Sequence, residues 1–158
     1  MKRLLRILKW IAIVLVAAFI GIQFYRPART NPVIDPAQTI EVHTQMTPQV
    51  ASILDRSCRD CHSNKTAWPW YTQVAPVSWW LVDHVNEGRH ELNLSEFGKL
   101  PRDRQDRKLR QICDEVQDGM MPLSSYLPMH PAARLSDQDK QTLCDWTDAE
   151  RQRLNVSK

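Results

Sequence analysis

Two cysteines and a histidine stand at Cys-x-x-Cys-His spacing in the stretch SCRDCH, as Cys58, Cys61 and His62. Covalent attachment of haem needs two thiols that reach the two vinyl groups from one side, and an imidazole that binds iron from that side. A histidine directly after the second cysteine meets this need. The spacing therefore predicts a c-type haem site, with Cys58 and Cys61 as attachment points and His62 as an axial iron ligand.

Two other chemistries use a Cys-x-x-Cys pair. A thioredoxin-like dithiol lies in a strand–helix context, and the chain shows no alternating pattern of useful length that would indicate strands. A structural zinc site needs two more ligands in a compact set, and the remaining cysteines, Cys113 and Cys144, lie too far apart in the sequence to form a finger. Haem is the preferred interpretation over both.

The N-terminus carries the excess positive charge of the chain. The first 29 residues hold six basic and no acidic side chains, whereas the rest holds 15 basic and 18 acidic ones. The formal charge of +3 therefore comes from this segment, and the remainder has a formal charge of −3. No basic stripe follows that would bind a phosphate backbone, so nucleic acid is not an expected partner.

An apolar run follows the first basic residues. It is unbroken from Trp10 to Ile22 and extends to Tyr25, which predicts a membrane anchor over residues 1–25. No convincing small-x-small cleavage site follows, so an uncleaved anchor is favoured over a removed signal peptide; in both cases the body is exported. Four positive charges precede the run and two follow it, which places the N-terminus in the cytoplasm.

The remainder divides into a tether and one helical domain. Residues 26–47 contain three prolines and little apolar content, and are predicted to form an extended tether. Residues 48–158 form the predicted domain, whose first helix has Thr47 as N-cap and Pro48 at its first position.

Three more helices are expected in this domain. The second covers Val77 to Glu87 with Gly88 as its C-terminal stop, and the third covers Asp103 to Gln117. The last begins at Ser136, where Ser136 and Asp139 form a capping-box pattern. The fold class is therefore all-α: an N-terminal transmembrane helix plus a small helical domain.

A longer composite pattern carries a family resemblance. The segment CRDCHSNKTAWPWYTQVAPVSWWLVDHVNEGRHELNLSEF, followed by GMMPLSSYLPMHPAARLSDQDKQTLCDW, closely resembles the bacterial haem-binding domain proteins of the cytochrome c-like class. The similarity covers about Val50 to Trp146. It implies one covalent haem c per chain and a cytochrome c-like helical fold.

The resemblance also bears on the second axial ligand, for which the residues alone leave several candidates. The Met-Pro of the family aligns at Met121, in the loop before the last helix where such folds carry a distal methionine. Met129 and His130 are the alternatives. A thioether ligand raises the reduction potential, whereas a second imidazole lowers it.

Contacts around the haem and its ligands are predicted as well. Cytochrome c-like proteins suggest that a backbone carbonyl near Pro76 orients the His62 ring. Arg89 and Arg134 are candidates to pair with the haem propionates.

Cys113 and Cys144 remain after the haem motif is assigned. In an oxidising compartment, two cysteines on facing helices predict a disulfide that closes about 30 residues and contributes roughly 3–4 kcal/mol. Two buried thiols are the alternative.

Together these features predict a membrane-anchored monohaem cytochrome that transfers single electrons. It would span the bacterial cytoplasmic membrane once, with its C-terminal domain in the periplasm and a redox protein or membrane electron-transfer complex as partner. No nucleophile or general-base cluster indicates an enzyme. The alternatives are a haem-based sensor or small-gas binder, which needs an open sixth position, and a haem peroxidase, which needs a polar distal site.

Overall fold

The computed structural model describes residues 1–156, and within that range it contains helices and no strand. The all-α prediction is confirmed. The chain forms two compact units, Met1–Thr30 with Ala67–His84, and Asn31–Thr66 with Val85–Lys158. The last two residues of the predicted domain lie outside the described residues.

The first unit contains one long apolar helix, α1 (Lys2–Ile22), none of whose side chains is buried. Its 21 residues give a length of about 31 Å, which matches a hydrocarbon core of about 30 Å. The helix is long and apolar enough to cross a membrane, although a signal sequence near an N-terminus has the same properties.

The rest of the first unit is a 3-10 turn at Trp70–Gln73 and the first half of α5 (Val77–Glu91). The side-chain amide of Gln23, directly after α1, donates to the carbonyl of Ala75 at 3.1 Å, and its oxygen accepts from the Ala75 N–H at 2.9 Å. This pair of bonds joins the end of α1 to the segment that precedes α5.

The second unit is built from five further helices and the second half of α5. These are α2 (Ile40–His43), α3 (Pro48–Ser57), α4 (Arg59–His62), α6 (Arg102–Gln117) and α7 (Asp137–Val156). Short 3-10 turns lie at Pro36–Gln38, Phe97–Lys99 and Pro131–Ala133. The core of this unit is formed by residues of α2, α3, α6, α7 and the segment between α5 and α6: Ile40, Val50, Ile53, Leu54, Leu94, Phe97, Leu109, Ile112, Val116, Leu143, Cys144 and Trp146.

The expected extended tether differs from the structure in its second half. Residues 26–35 contain no helix, but a 3-10 turn and α2 follow. The Ile40 side chain is fully buried and its N–H donates to the Leu94 carbonyl at 2.8 Å. Helix α2 has only four residues, too few to show a helical period in the sequence. The domain limits themselves stay a prediction.

The predicted caps of α3 agree with the structure. The Thr47 hydroxyl accepts a hydrogen bond from the Val50 N–H at 3.3 Å, and Pro48 occupies the first turn. Val50, Ile53 and Leu54 are buried, so the amphipathic face seen in the sequence packs on the core.

The predicted end of α5 is wrong, because the helix continues through Gly88 to Glu91. Gly88 does not end the helix; it lies where α5 approaches the backbone of Cys61 closely. A Cβ placed on it would lie 2.7 Å from the Cys61 carbonyl oxygen, closer than real contacts allow.

The start of α7 is a reciprocal capping box. The Ser136 N–H donates to the Asp139 carboxylate at 2.9 Å, and the Asp139 N–H donates to the Ser136 hydroxyl at 3.1 Å. Arg56 of α3 also pairs with Asp139 at 2.8 Å. Burial acts to raise the pKa of Asp139, but the bonds from Ser136 and the charge of Arg56 outweigh it and hold the pKa below its usual value.

Replacing Asp139 with alanine is expected to lower the free energy of unfolding by about 1–2 kcal/mol at neutral pH. The folded pKa lies below the unfolded value of about 3.9, so this contribution is fully present above that value and is lost as the pH falls through the folded pKa. Urea unfolding of the full chain in detergent, at neutral and acidic pH, measures both effects. Asp137→Ala, a change at an exposed position in the same turn, is the control and should lower the free energy of unfolding by less. If Asp139→Ala lowered the free energy of unfolding equally at neutral and acidic pH, the role of the Asp139 carboxylate as a cap would be contradicted.

Candidate functional site

The Cys-x-x-Cys-His segment continues α3 by one more turn. The Cys58 N–H donates to the Leu54 carbonyl at 3.0 Å, and the His62 N–H donates to the Cys58 carbonyl at 2.9 Å. Because α4 ends at His62, the imidazole follows both thiols at the end of a helical turn. Helix α3 is fixed to the core through Leu54, so the core positions the motif.

Residues 92–94 hold His62 by its ring and by its backbone. The Nδ1 atom of His62 lies 3.1 Å from the Leu92 carbonyl, and the Leu94 N–H donates to the His62 carbonyl at 2.7 Å. The prediction that a carbonyl near Pro76 orients the ring is therefore wrong. The acceptor belongs to the segment after α5. Tertiary packing brings this segment to His62, and the sequence does not indicate that contact.

This contact defines which nitrogen of His62 is available to a metal. With Nδ1 donating to Leu92, Nε2 carries the lone pair, the arrangement typical of metal-binding histidines. Burial lowers the pKa of His62, and the carbonyls of Leu92 and Gly88 oppose this effect in part. The ring is therefore neutral near pH 7, the form that binds metals.

Two short polar segments interlock next to His62. The Asn64 N–H donates to the Ser95 hydroxyl at 3.1 Å, and the Asn93 side chain donates to the Asn64 side-chain oxygen at 2.9 Å. Asn64 and Ser95 are buried. These bonds join the His-Ser-Asn and Leu-Asn-x-Ser segments of the pattern described above, although the side-chain nitrogen of Asn64 is buried without a hydrogen-bond partner among residues 1–156.

Arg89 holds the same loop from α5. Its guanidinium donates to the Ser63 carbonyl at 2.8 Å, the Thr66 hydroxyl at 2.8 Å and the Asn31 side-chain oxygen at 2.7 Å. The structure thus gives Arg89 a role in fixing the loop after the motif. Arg134, the other predicted propionate partner, has an exposed side chain.

An apolar groove lies beside the motif within the second unit. Cys58, His62 and Met121 all line it. The space beside these residues, including the part open to solvent, is about 850 Å³. The apolar wall consists of Leu54, Leu92, Leu94, Ile112, Val116 and Leu135.

Met121 is the candidate distal ligand that shares this groove with His62. Its N–H donates to the Glu115 carbonyl at 3.1 Å, which fixes the methionine against the C-terminal end of α6. Met129 is 59% exposed and does not line the groove. The ring of His130 stacks on Tyr126 with centroids 3.8 Å apart, and His130 is likewise absent from the lining. The structure therefore places Met121 in the groove with the motif, and it places neither Met129 nor His130 there.

The loop that carries Met121 is fastened to the motif at a second point. The Tyr126 hydroxyl donates to the carboxylate of Asp60, between the two cysteines, at 2.6 Å. Further along, Ser57 donates to the Ala133 carbonyl at 2.9 Å. The two sides of the groove are thus linked directly and not through the core alone.

Four polar side chains at the groove were not foreseen from the sequence. Glu91, Lys108, Gln111 and Glu115 all line it, and Lys108 pairs with Glu91 at 3.4 Å. Lys108, Gln111 and Glu115 follow helical spacing beside the apolar stripe of α6, which is the one signal the sequence offers.

The surroundings of the two motif thiols do not favour the thiolate form that a reactive dithiol needs. Burial raises the pKa of Cys58 to about 12, with a further contribution from Cys61, and burial raises the pKa of Cys61 to about 11. Redox-active dithiols have lowered values instead. Cys113 and Cys144 are joined in a disulfide between α6 and α7, so they do not complete a zinc site with the motif.

The residues present match the requirements of a haem. A neutral imidazole and a thioether line one apolar groove with the Cys58 thiol, and Cys61 lies one turn along the same helix. Among residues 1–156, no group of three or more His, Cys, Asp or Glu side chains is placed to hold a bare metal ion. The donor set therefore suits a porphyrin iron, which brings four of its own ligands, better than a protein-only metal site.

Comparison with known proteins identifies a family. The sequence profile of the haem-binding domain family matches residues 17–149, whereas no curated protein and no solved structure shows significant similarity to the chain. The match spans most of the chain, from within α1 to the second half of α7. The protein therefore belongs to the haem-binding domain family.

Proposed function

We propose that the protein is a membrane-anchored c-type cytochrome that carries single electrons. One haem is attached through thioether bonds to Cys58 and Cys61, with His62 and Met121 as axial ligands of the iron. The observation that supports this most directly is the groove in which Cys58, His62 and Met121 meet. Haem binding is the property of the family; the covalent bonds and the electron transfer are the proposal.

The residues of the chain have separate roles in this function. The bound haem supplies an iron that alternates between the ferrous and ferric states. His62 is kept neutral and oriented by the Leu92 carbonyl. The thioether of Met121 favours ferrous iron, and the apolar wall excludes water, which also raises the potential.

Three contacts support a retained anchor and not a removed signal sequence. Gln23, Tyr25 and Arg29 follow α1 and bond to Ala75, Trp79 and Thr72 respectively, within the first unit. Cleavage beyond Arg29 would remove the bonding partners of Ala75, Trp79 and Thr72. The family match also begins at residue 17, inside α1.

The orientation follows from the charges that flank α1. Four positive side chains precede the apolar run and two follow it, which favours an N-terminus in the cytoplasm and a haem-binding part in the periplasm of a bacterium. The partner is a redox protein or a membrane electron-transfer complex. The protein is proposed to act as an electron carrier without a substrate of its own.

Replacing Met121 with alanine is expected to remove the sixth ligand. The reduced protein should then bind carbon monoxide rapidly, and the low-spin absorption bands should be lost. Absorption spectra of the oxidised, reduced and carbon monoxide-treated full chain measure this change. Met120→Ala and Met129→Ala, at positions 61% and 59% exposed, are matched controls that should keep the wild-type spectrum. A wild-type spectrum for Met121→Ala would show that another residue is the ligand.

Electron transfer is tested by a spectroelectrochemical titration of the full chain in detergent. A carrier gives a reversible one-electron transition and resists carbon monoxide. Rapid carbon monoxide binding by the wild-type protein would favour a gas sensor, and fast peroxide turnover would favour a peroxidase; each result would overturn the carrier proposal.

A further inference from the structure

An aromatic segment in the first unit is exposed where burial is expected. Trp70 is 74% exposed, Val77 44% and Trp80 43%. The stretch from residue 67 to residue 82, AWPWYTQVAPVSWWLV, contains no charged side chain. Soluble proteins rarely present such uncharged aromatic surface to water, so it marks a surface that contacts something else. We call residues 67–82 the aromatic segment.

The aromatic segment is bonded directly to the residues that follow α1. Gln23 exchanges two hydrogen bonds with Ala75. The indole N–H of Trp79 donates to the Tyr25 carbonyl at 2.9 Å, and the two rings lie edge to face with centroids 5.6 Å apart. Three hydrogen bonds and one ring contact therefore fix the segment at one end of the apolar helix.

This attachment determines the depth of the segment if α1 crosses a membrane. Helix α1 ends at Ile22, and its length of about 31 Å spans the hydrocarbon core, so Gln23 and Tyr25 lie in the polar interfacial layer. That layer is roughly 5–8 Å thick on each side. Groups bonded to Gln23 and Tyr25 must lie at nearly the same depth.

We propose that the aromatic segment is an interfacial membrane-binding element, with Trp70 and Trp80 in contact with phospholipid at the boundary between head groups and acyl chains. The inference rests on the proposed function, since it requires α1 to be retained in a membrane. An indole ring has an apolar face and one N–H donor, which suits it to this boundary. The absence of charge from residues 67–82 lets the segment enter it without desolvating an ion.

The flanking basic residues complete the same arrangement. Arg26 and Arg29 follow α1 in the sequence, and the Arg29 guanidinium donates to the Thr72 carbonyl at 2.7 Å. Such side chains place their charge near phosphate groups while their stems cover apolar surface. A phospholipid surface therefore meets an apolar aromatic element bordered by cations.

Lipid photolabelling of the full chain tests the proposal. The protein is reconstituted in phosphatidylcholine–phosphatidylglycerol nanodiscs that contain a phospholipid with a diazirine near the glycerol backbone, and labelled peptides are mapped by mass spectrometry. Label is expected on α1 and on the peptide with Trp70 and Trp80. Trp70→Ser combined with Trp80→Ser should remove most label from residues 67–82 and leave that on α1 unchanged. The peptide with Trp146, which is 6% exposed, is the negative control.

The outcomes separate this inference from the proposed anchorage. Label on α1 without label on residues 67–82 would overturn the interfacial element and leave the anchor intact. No label on either would overturn the anchor itself. A third outcome is that residues 67–82 are not labelled by the lipid probe but cross-link to another protein in native membranes. This result would assign the surface to a protein partner and would also overturn the inference.

Discussion

Replacing both Cys113 and Cys144 with alanine is expected to lower the free energy of unfolding by roughly 3–4 kcal/mol. The disulfide joins α6 to α7 across 31 residues of sequence, and a cross-link of this span removes that much conformational entropy from the unfolded chain. Both cysteines also pack against the core, so the loss of their side-chain packing acts in the same direction. Chemical denaturation of the full chain in detergent, followed by circular dichroism, measures the difference.

A thiol reductant provides the matched control. It should lower the stability of the wild-type protein to near that of the double alanine variant, and it should leave the variant unchanged. Thioether bonds at Cys58 and Cys61 resist such a reductant. A reductant effect of equal size in the double variant would show that the stabilising cross-link lies elsewhere.

Replacing Gly88 with alanine is expected to destabilise the protein, although alanine favours a helix over glycine by about 1 kcal/mol. The new Cβ would lie 2.7 Å from the Cys61 carbonyl oxygen and 3.2 Å from its carbonyl carbon. These are backbone atoms between the two ends of the haem motif, so no side-chain rotation relieves the contact. Overpacking of this kind costs typically about 1–3 kcal/mol. The haem-to-protein ratio of the purified variant should fall for the same reason.

Gly21→Ala is the control for helix propensity, because nothing lies within 4 Å of a Cβ at that position in α1. It should not lower the stability, because alanine favours a helix over glycine, and it should leave the haem content unchanged. Denaturation curves and haem-to-protein ratios of both variants are compared under identical conditions. A Gly88→Ala variant that is more stable than the wild type would contradict the close approach of α5 to the motif.

Local sequence signals predicted the starts of those helices that are set by capping residues. Thr47 and Pro48 begin α3, and Ser136 with Asp139 begins α7, because caps satisfy backbone groups within one turn. Gly88 shows the limit of the same reasoning. Glycine commonly ends a helix, but here it lies inside one because a second backbone passes too close for a side chain.

The haem motif was predictable and its surroundings were not. Cys58, Cys61 and His62 are adjacent in the sequence, so their spacing alone indicates the chemistry. Met121 was indicated by a resemblance, and the structure places it in the same groove. The carbonyl that orients His62 belongs to Leu92, 30 residues away, and no local pattern marks a backbone acceptor.

The groove also shows why polar site residues escape sequence analysis. Lys108 and Glu115 lie on α6 among many charged residues, and charge on a helix surface ordinarily faces water. Their place at the groove depends on how α6 is rotated against the core. That rotation is fixed by buried residues such as Leu109 and Ile112. The sequence identifies these residues as apolar, but it does not show that a groove lies beside them.

The mass of the purified, denatured chain is the most direct test of the central proposal, a covalent haem at Cys58 and Cys61. The protein is expressed with the cytochrome c maturation machinery, unfolded, and analysed intact. The expected mass equals that of the chain plus one haem. The haem mass should disappear when Cys58 and Cys61 are both replaced with serine, and it should persist when Cys113 and Cys144 are both replaced with alanine. An unmodified chain from which haem separates on unfolding would contradict covalent attachment, and the protein would then hold its haem through axial ligands alone.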